Sequence, residues 1–196
     1  MESVAELFII ESLGRDDEKS GRAEGRVIAD ILNLKGKKAE YIYIRTRREL
    51  LAALKEFSKS KFRYLHFSCH GNDKSISTTY DEIFFNEFER IFKKRLKKKR
   101  LFFSSCNVVG ERLGEDFFVK SKALSILGPV EPIHFDDSVL FWANFYHLMF
   151  NINANGMNSK DIKKIAKATA NLLNIEIGML LPNKKNNSDY KMFRTK

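Results

Sequence analysis

Cysteine is scarce in this sequence: Cys69 and Cys106 are the only two in 196 residues. So few thiols exclude a disulfide framework, and with no export signal they point to a reducing compartment, the cytoplasm. The amino terminus, MESVAELFII, starts acidic, and its apolar stretch is too short for a signal peptide. No apolar run reaches the length of a membrane span, so no membrane partner is expected. Histidine is limited to four positions, and His134 and His147 have no Cys or His at ligand spacing, so no metal site and no cofactor are expected. GRAEGR, from Gly21 to Arg26, lacks the Lys and the spacing of a phosphate loop and reads as a turn and helix start. No internal repeat marks a solenoid or propeller.

Acidic residues are also in deficit: 25 Asp and Glu against 35 Lys and Arg leave a net charge of +10. The densest basic run, KKRLKKKR at Lys93 to Arg100, reads first as a solvated helix end whose cations match the helix dipole. A phosphate-binding patch is the second reading. Nucleic acid is not the expected partner, because the abundance of Lys, Asn, Phe and Ile fits a bias in genome composition.

What is present is a chain with 43% apolar residues, enough for one real core. Residues 1–182 read as a single domain and 183–196, NKKNNSDYKMFRTK, as a polar, mobile tail. Strands are expected at Leu7–Glu11, Ala39–Arg45, Phe62–Cys69, Leu101–Cys106 and Leu124–Val130, with a last one at Glu176–Leu181. Helices are expected at about Arg26–Leu34, Arg47–Ser58, Asp81–Leu96 and Glu111–Phe118, with a charged loop after the first strand and a polar loop over Asn72–Thr79. Alternation on this scale predicts a three-layer α/β/α sandwich with a mostly parallel central sheet. Ser138–Phe150 is apolar nearly all round and reads as a helix buried in the core or covered by a partner. Asn158–Leu173 reads as a basic amphipathic helix capped at Asn158 or Ser159.

Two segments carry candidate chemistry, YLHFSCHG ending on His70 and Gly71, and RLFFSSCNVVG containing Cys106. The period of two in a strand puts His66, Ser68 and His70 on one face and Cys69 on the other. In the second segment Phe102, Ser104 and Cys106 share a face. If both strands are parallel, His70 and Cys106 emerge together at carboxyl ends, where open α/β sheets bind ligands, as nucleophile and base. Cys106 alone also reads as a small buried residue at a strand end, and Cys69 reads as core. Gly71 allows a sharp turn and leaves an N–H open to a substrate carbonyl. His66 reads as a hydrogen-bonded strand residue.

HFSCHG at His66–Gly71, SSCNVVG at Ser104–Gly110 and the later IHFDDSVLFWANFYHLMF together resemble the bacterial caspase-like cysteine peptidases of the CHAT group, in the clan of caspases, separases and gingipains. The resemblance covers roughly Glu6 to Phe150. It implies a caspase-like fold, a catalytic dyad of His70 and Cys106, and an oxyanion hole from the backbone amides of Gly71 and Cys106. It also implies a protein substrate, an endopeptidase role in antiphage defence or cell death, and regulation by a partner protein or bound signal. A catalytically silent binding module and a basic nucleic-acid-binding α/β protein are the alternatives. Ser104 stands where many clan members place an Asp, so P1 specificity does not carry over. Asp16, Asp17, Asp136 and Asp137 lie on loops expected at the crevice rim. Each reads as a solvated loop residue or, for Asp137, a helix cap. A carboxylate of theirs in the S1 pocket would favour Arg or Lys at P1.

Overall fold

The computed structural model describes residues 4–92, 96–183 and 189–196. Five strands form the parallel heart of the sheet: β1 (Val4–Ser12), β2 (Ala39–Tyr43), β3 (Phe62–Gly71), β6 (Arg100–Ser104) and β7 (Ser125–Pro129). β8 (Ile177–Pro182) and β9 (Tyr190–Arg194) extend it antiparallel, giving the order β2-β1-β3-β6-β7-β8-β9. β4 (Ser75–Ser77) and β5 (Glu82–Phe84) make a small antiparallel ribbon grown from the end of β3. This is the three-layer, mostly parallel architecture that the strand and helix alternation predicts.

β3 and β6 lie in the middle and are near-continuous apolar runs, as strands covered on both faces must be. On one face α3 (Arg47–Lys59), α4 (Phe85–Phe92) and the helical stretch 111–121 pack Leu54, Phe57, Phe88, Phe92 and Phe117 onto Phe67 and Phe103. On the other, α2 (Glu24–Leu34), α7 (Phe135–Ile152) and α8 (Ser159–Leu173) pack Ile28, Trp142, Phe145 and Ile162 onto Ile9, Tyr64 and Phe102. The stretch 111–121 is α5 (Glu111–Leu113), a π-helical turn at Gly114–Phe118, and α6 (Val119–Ser121). α3 starts on a capping box, Thr46 with Glu49, and α8 on Asn158, whose side chain accepts from the Asp161 N–H at 2.9 Å.

Several sequence expectations change. The charged loop after β1 contains a short helix, α1 (Arg15–Lys19). The expected helix over Asp81–Leu96 begins with strand β5, and residues 93–95 lie outside the described part. α7 is not wrapped on every side: Trp142, Tyr146 and Phe145 are buried while Leu140 and Leu148 face outward, because α2 and α8 flank one side of the helix. It begins at Phe135, so Asp137 sits inside the first turn and does not cap it. Within residues 183–196, Tyr190–Arg194 is a strand. β8 would otherwise present an unpaired edge, and β9 satisfies it, after which the Thr195 N–H donates to the Ile177 carbonyl at 3.1 Å.

Candidate active site

Register positions the two strand ends. β3 and β6 pair Ser68 with Ser104, and the same offset one residue on sets the Cys69 thiol 3.2 Å from the Ser105 hydroxyl. One residue further, on the opposite face, come His70 and Cys106, and both line a cleft of about 100 Å³ with Glu24, Cys69, Ser104, Ser105, Ile133, Phe135 and Ser138. The period of two thus separates the cysteines. Cys106 faces the cleft on the α2 and α7 side, while Cys69 borders the same cleft but packs its thiol against the opposite core cluster, where burial pushes it up to about 12.

The Cys106 sulfur sits against one residue of the chain entering α7. It accepts from the Ile133 N–H at 3.4 Å and lies 3.6 Å from the Ile133 carbonyl. His70 is held from the other side of the cleft: its Nε2 is 2.6 Å from an oxygen of Asp17, whose second oxygen accepts from Arg22 at 2.8 Å. Burial alone would raise the Asp17 carboxyl, but hydrogen bonds and charge from His70 and Arg22 outweigh it and hold the group below its ordinary value. The Phe135 ring meets the His70 imidazole edge-on at 5.7 Å, and Arg22 lies over the same ring at 5.6 Å.

Gly71 is held in place by close packing. It lies extended at the end of β3, not in a left-handed turn, and a Cβ there would stand 2.6 Å from Val108 and 3.0 Å from Ser105. The glycine lets the turn carrying Cys106 press against the end of the His70 strand. His66 is a core residue: its Nδ1 is 2.8 Å from the Tyr146 hydroxyl, and burial drives its pKa down to about 3, leaving the ring neutral.

The acidic residues separate. Asp16 is solvent-exposed, its carboxylate paired with Lys19 at 3.8 Å, and it does not line the cleft. Asp17 is engaged by His70 and Arg22, and is therefore not a free pocket wall. Asp136 borders a second cleft of about 210 Å³ that shares Glu24 and Phe135 with the first and is also lined by Arg22 and Val139. Asp137 lines neither cleft. Ser104 turns inward to hydrogen-bond Glu24 and Ser138.

Sequence reasoning missed Glu24. Its carboxyl receives Ser104, Ser138 at 3.1 Å and Ser68 at 3.4 Å, and Ser68 also donates to Glu11 at 3.1 Å. Glu11 in turn accepts from the Gly25 N–H and the Tyr41 hydroxyl, both at 2.7 Å. Gly25 permits this approach, since a Cβ there would lie 3.0 Å from Ile9 and 3.2 Å from the Glu11 carboxyl carbon. A carboxylate inside the apolar strand LFIIES was the available signal for such a network. Burial lifts Glu24 to about 8, and the nearby Glu11 charge pushes the same way against the serine hydrogen bonds.

That shift has a measurable sign. Between the ordinary carboxylate range and about 8 the folded protein keeps a proton that the unfolded chain has lost. The associated stability is complete below that range and is lost as pH rises toward the folded value. Glu24→Gln, which does not titrate, is expected to flatten this decline, with a relative gain of up to about 5 kcal/mol on the alkaline side. Chemical denaturation of both proteins across the pH range checks it, and parallel profiles would reject the assignment.

Strand order, crossover helices and the position of the cleft at the carboxyl ends of β3 and β6 define a caspase-like α/β fold. Among solved structures the chain is similar to a secreted C11 cysteine protease from Bacteroides thetaiotaomicron, "iotapain", with a TM-score of 0.55 and 9% sequence identity over 92% of this chain and 67% of that one. At that identity the likeness concerns the fold. No family model matches the sequence. No curated protein matches it either.

Proposed function

We propose that this chain is a cysteine endopeptidase of the CHAT type, with Cys106 as nucleophile and His70 as general base. The observation that carries the reading is the convergence of Cys106 and His70, from the ends of adjacent parallel strands, on one cleft with Asp17 behind the imidazole. With Nε2–H donated to Asp17, Nδ1 is the ring nitrogen free to take the thiol proton and later deliver it to the leaving amine. The thiolate then attacks the scissile carbonyl, forming an acyl-enzyme that water hydrolyses. The backbone amides of Gly71 and Cys106 are the proposed oxyanion donors. The substrate is a protein, the setting the cytoplasm, and the role antiphage defence or cell death under control of a partner or signal.

A preference for Arg or Lys at P1 is part of the proposal, with Asp136, beside the second cleft, as the carboxylate in place of Asp16 and Asp17. Incubating wild-type and Cys106→Ala protein with a proteome, and sequencing the new amino termini, tests both activity and P1. Termini that appear equally with both proteins would remove the activity, and termini following acidic or apolar residues would remove the P1 preference.

The second cysteine supplies a control. Cys69→Ala is expected to keep most of the activity, because its thiol, although it borders the cleft, packs against the core and is protonated at neutral pH. Turnover of a peptide substrate and labelling by an electrophilic peptide trap both check this. Modification found mainly on Cys69 would reverse the assignment.

A further inference from the structure

At the opposite edge of the sheet, where the strands begin, a cleft of about 330 Å³ is lined by Arg63, Tyr64, Lys98, Arg100, Asn155 and Asn158 among others. Arg63 opens β3, Arg100 opens β6, and the asparagines belong to the turn leading into α8. Among the described residues, none of Arg63, Lys98, Lys99 and Arg100 is paired with a carboxylate. Arg100 is only 8% exposed, yet its partners are neutral: Nε donates to the Met157 carbonyl at 3.1 Å and Nη1 to the Ser125 hydroxyl at 2.7 Å. Arg63 donates Nη2 to the Asn155 carbonyl, and its Nε is buried with no partner. Lys99 is tied to the Phe62 carbonyl, and its pKa is lowered by burial and then by the charge of Arg63.

Buried charge is costly unless a counter-charge accompanies it, and Arg100 has none among the described residues, while half-buried Arg63 and exposed Lys98 add positive charge to the same cleft. The amino end of α8 adds its partial positive charge to the same cleft through Asn158. The carboxylate in the first turn of α8, Asp161, is held by its own cap residue Asn158 and does not line the cleft.

We propose that this cleft binds a phosphate-bearing small molecule of nucleotide size. Guanidinium forks and a helix amino end suit phosphate oxygens. The volume lies at the low end of small-ligand sites, about 300 to 1,000 Å³, which favours a compact ligand over a polymer backbone. The Asn155 side-chain amide supplies a donor and an acceptor for the remainder of such a ligand. The site is separate from the dyad, and its existence does not depend on peptidase activity.

The test measures binding of ADP and pyrophosphate by calorimetry, and the melting temperature with each, at ionic strength held constant with KCl. ADP is expected to bind saturably and raise the melting temperature of wild-type and Cys106→Ala protein alike. Arg63→Gln and Lys98→Gln should each weaken ADP binding by about 10- to 100-fold, the scale of one charge-assisted hydrogen bond, while melting normally without ligand. Arg100→Gln should abolish binding, and because that variant risks misfolding, the two more exposed variants decide. Unchanged affinity in both, or a melting shift that KCl reproduces, would overturn the site. So would a single-stranded oligonucleotide that binds more tightly than ADP and is not displaced by it.

Discussion

Cys106→Ala is expected to abolish peptide hydrolysis, a drop on the order of 10⁵ or more in kcat, while leaving the melting temperature close to wild type. The side chain is only partly buried at the mouth of a cleft, and its hydrogen bonds among the described residues are the weak sulfur approaches to Ile133. Removing the sulfur therefore costs little packing. Ala offers no lone pair to the substrate carbonyl, so no acyl-enzyme forms. Hydrolysis of a fluorogenic peptide, together with a thermal melt of the same samples, checks both halves. Full activity in a folded Cys106→Ala protein would end the peptidase reading, and equal loss in Cys69→Ala would end the assignment of a single nucleophile.

His70→Ala is expected to lower turnover by about 10² to 10⁴-fold, the usual contribution of a positioned general base. Asp17→Asn should cost less, because the imidazole stays in place through Phe135 while losing the partner that fixes its tautomer. His66→Ala makes the contrast. Its ring is fully enclosed against Trp142 and Tyr146, so the loss should appear as a lower melting temperature with the surviving enzyme near normal turnover. A dead His66 variant beside an active His70 variant would contradict the register described for β3.

The arrangement of β3 and β6 was legible because alternation is a local rule: once a strand is covered on both faces, the identity of each residue fixes which side it serves. Asn158 as a cap and the amphipathic run of α8 were legible for the same reason. Glu24 was not, because GRAEGR has the composition of a surface turn, and only the approach of α2 over β1 at Gly25 buries its carboxyl. Asp17 was noticed as acidic but not as the partner of His70, since that meeting spans 53 residues and depends on α1, a five-residue helix with no apolar stripe to announce it. β9 escaped because YKMFR is half-polar, and its strand character comes from the open edge of β8. Gly71 was noticed as a turn residue, but the approach of Val108 and Ser105 that a Cβ there would block is a tertiary contact that nothing local in the sequence announces.

The strand order has a consequence for biosynthesis. β1, β2 and β3 are made first and can pair, but the cleft also needs β6 beside β3, and then Ile133, Phe135 and Ser138 from the segment after β7. None of these meetings is between sequence neighbours, and parallel pairings of this kind form slowly. A ribosome-bound chain that stops short of α7 therefore carries both Cys106 and His70 without the walls that would seat a substrate between them. The cleft is therefore walled only after the segment from Ile133 to Ser138 has been made and has folded back onto β3 and β6.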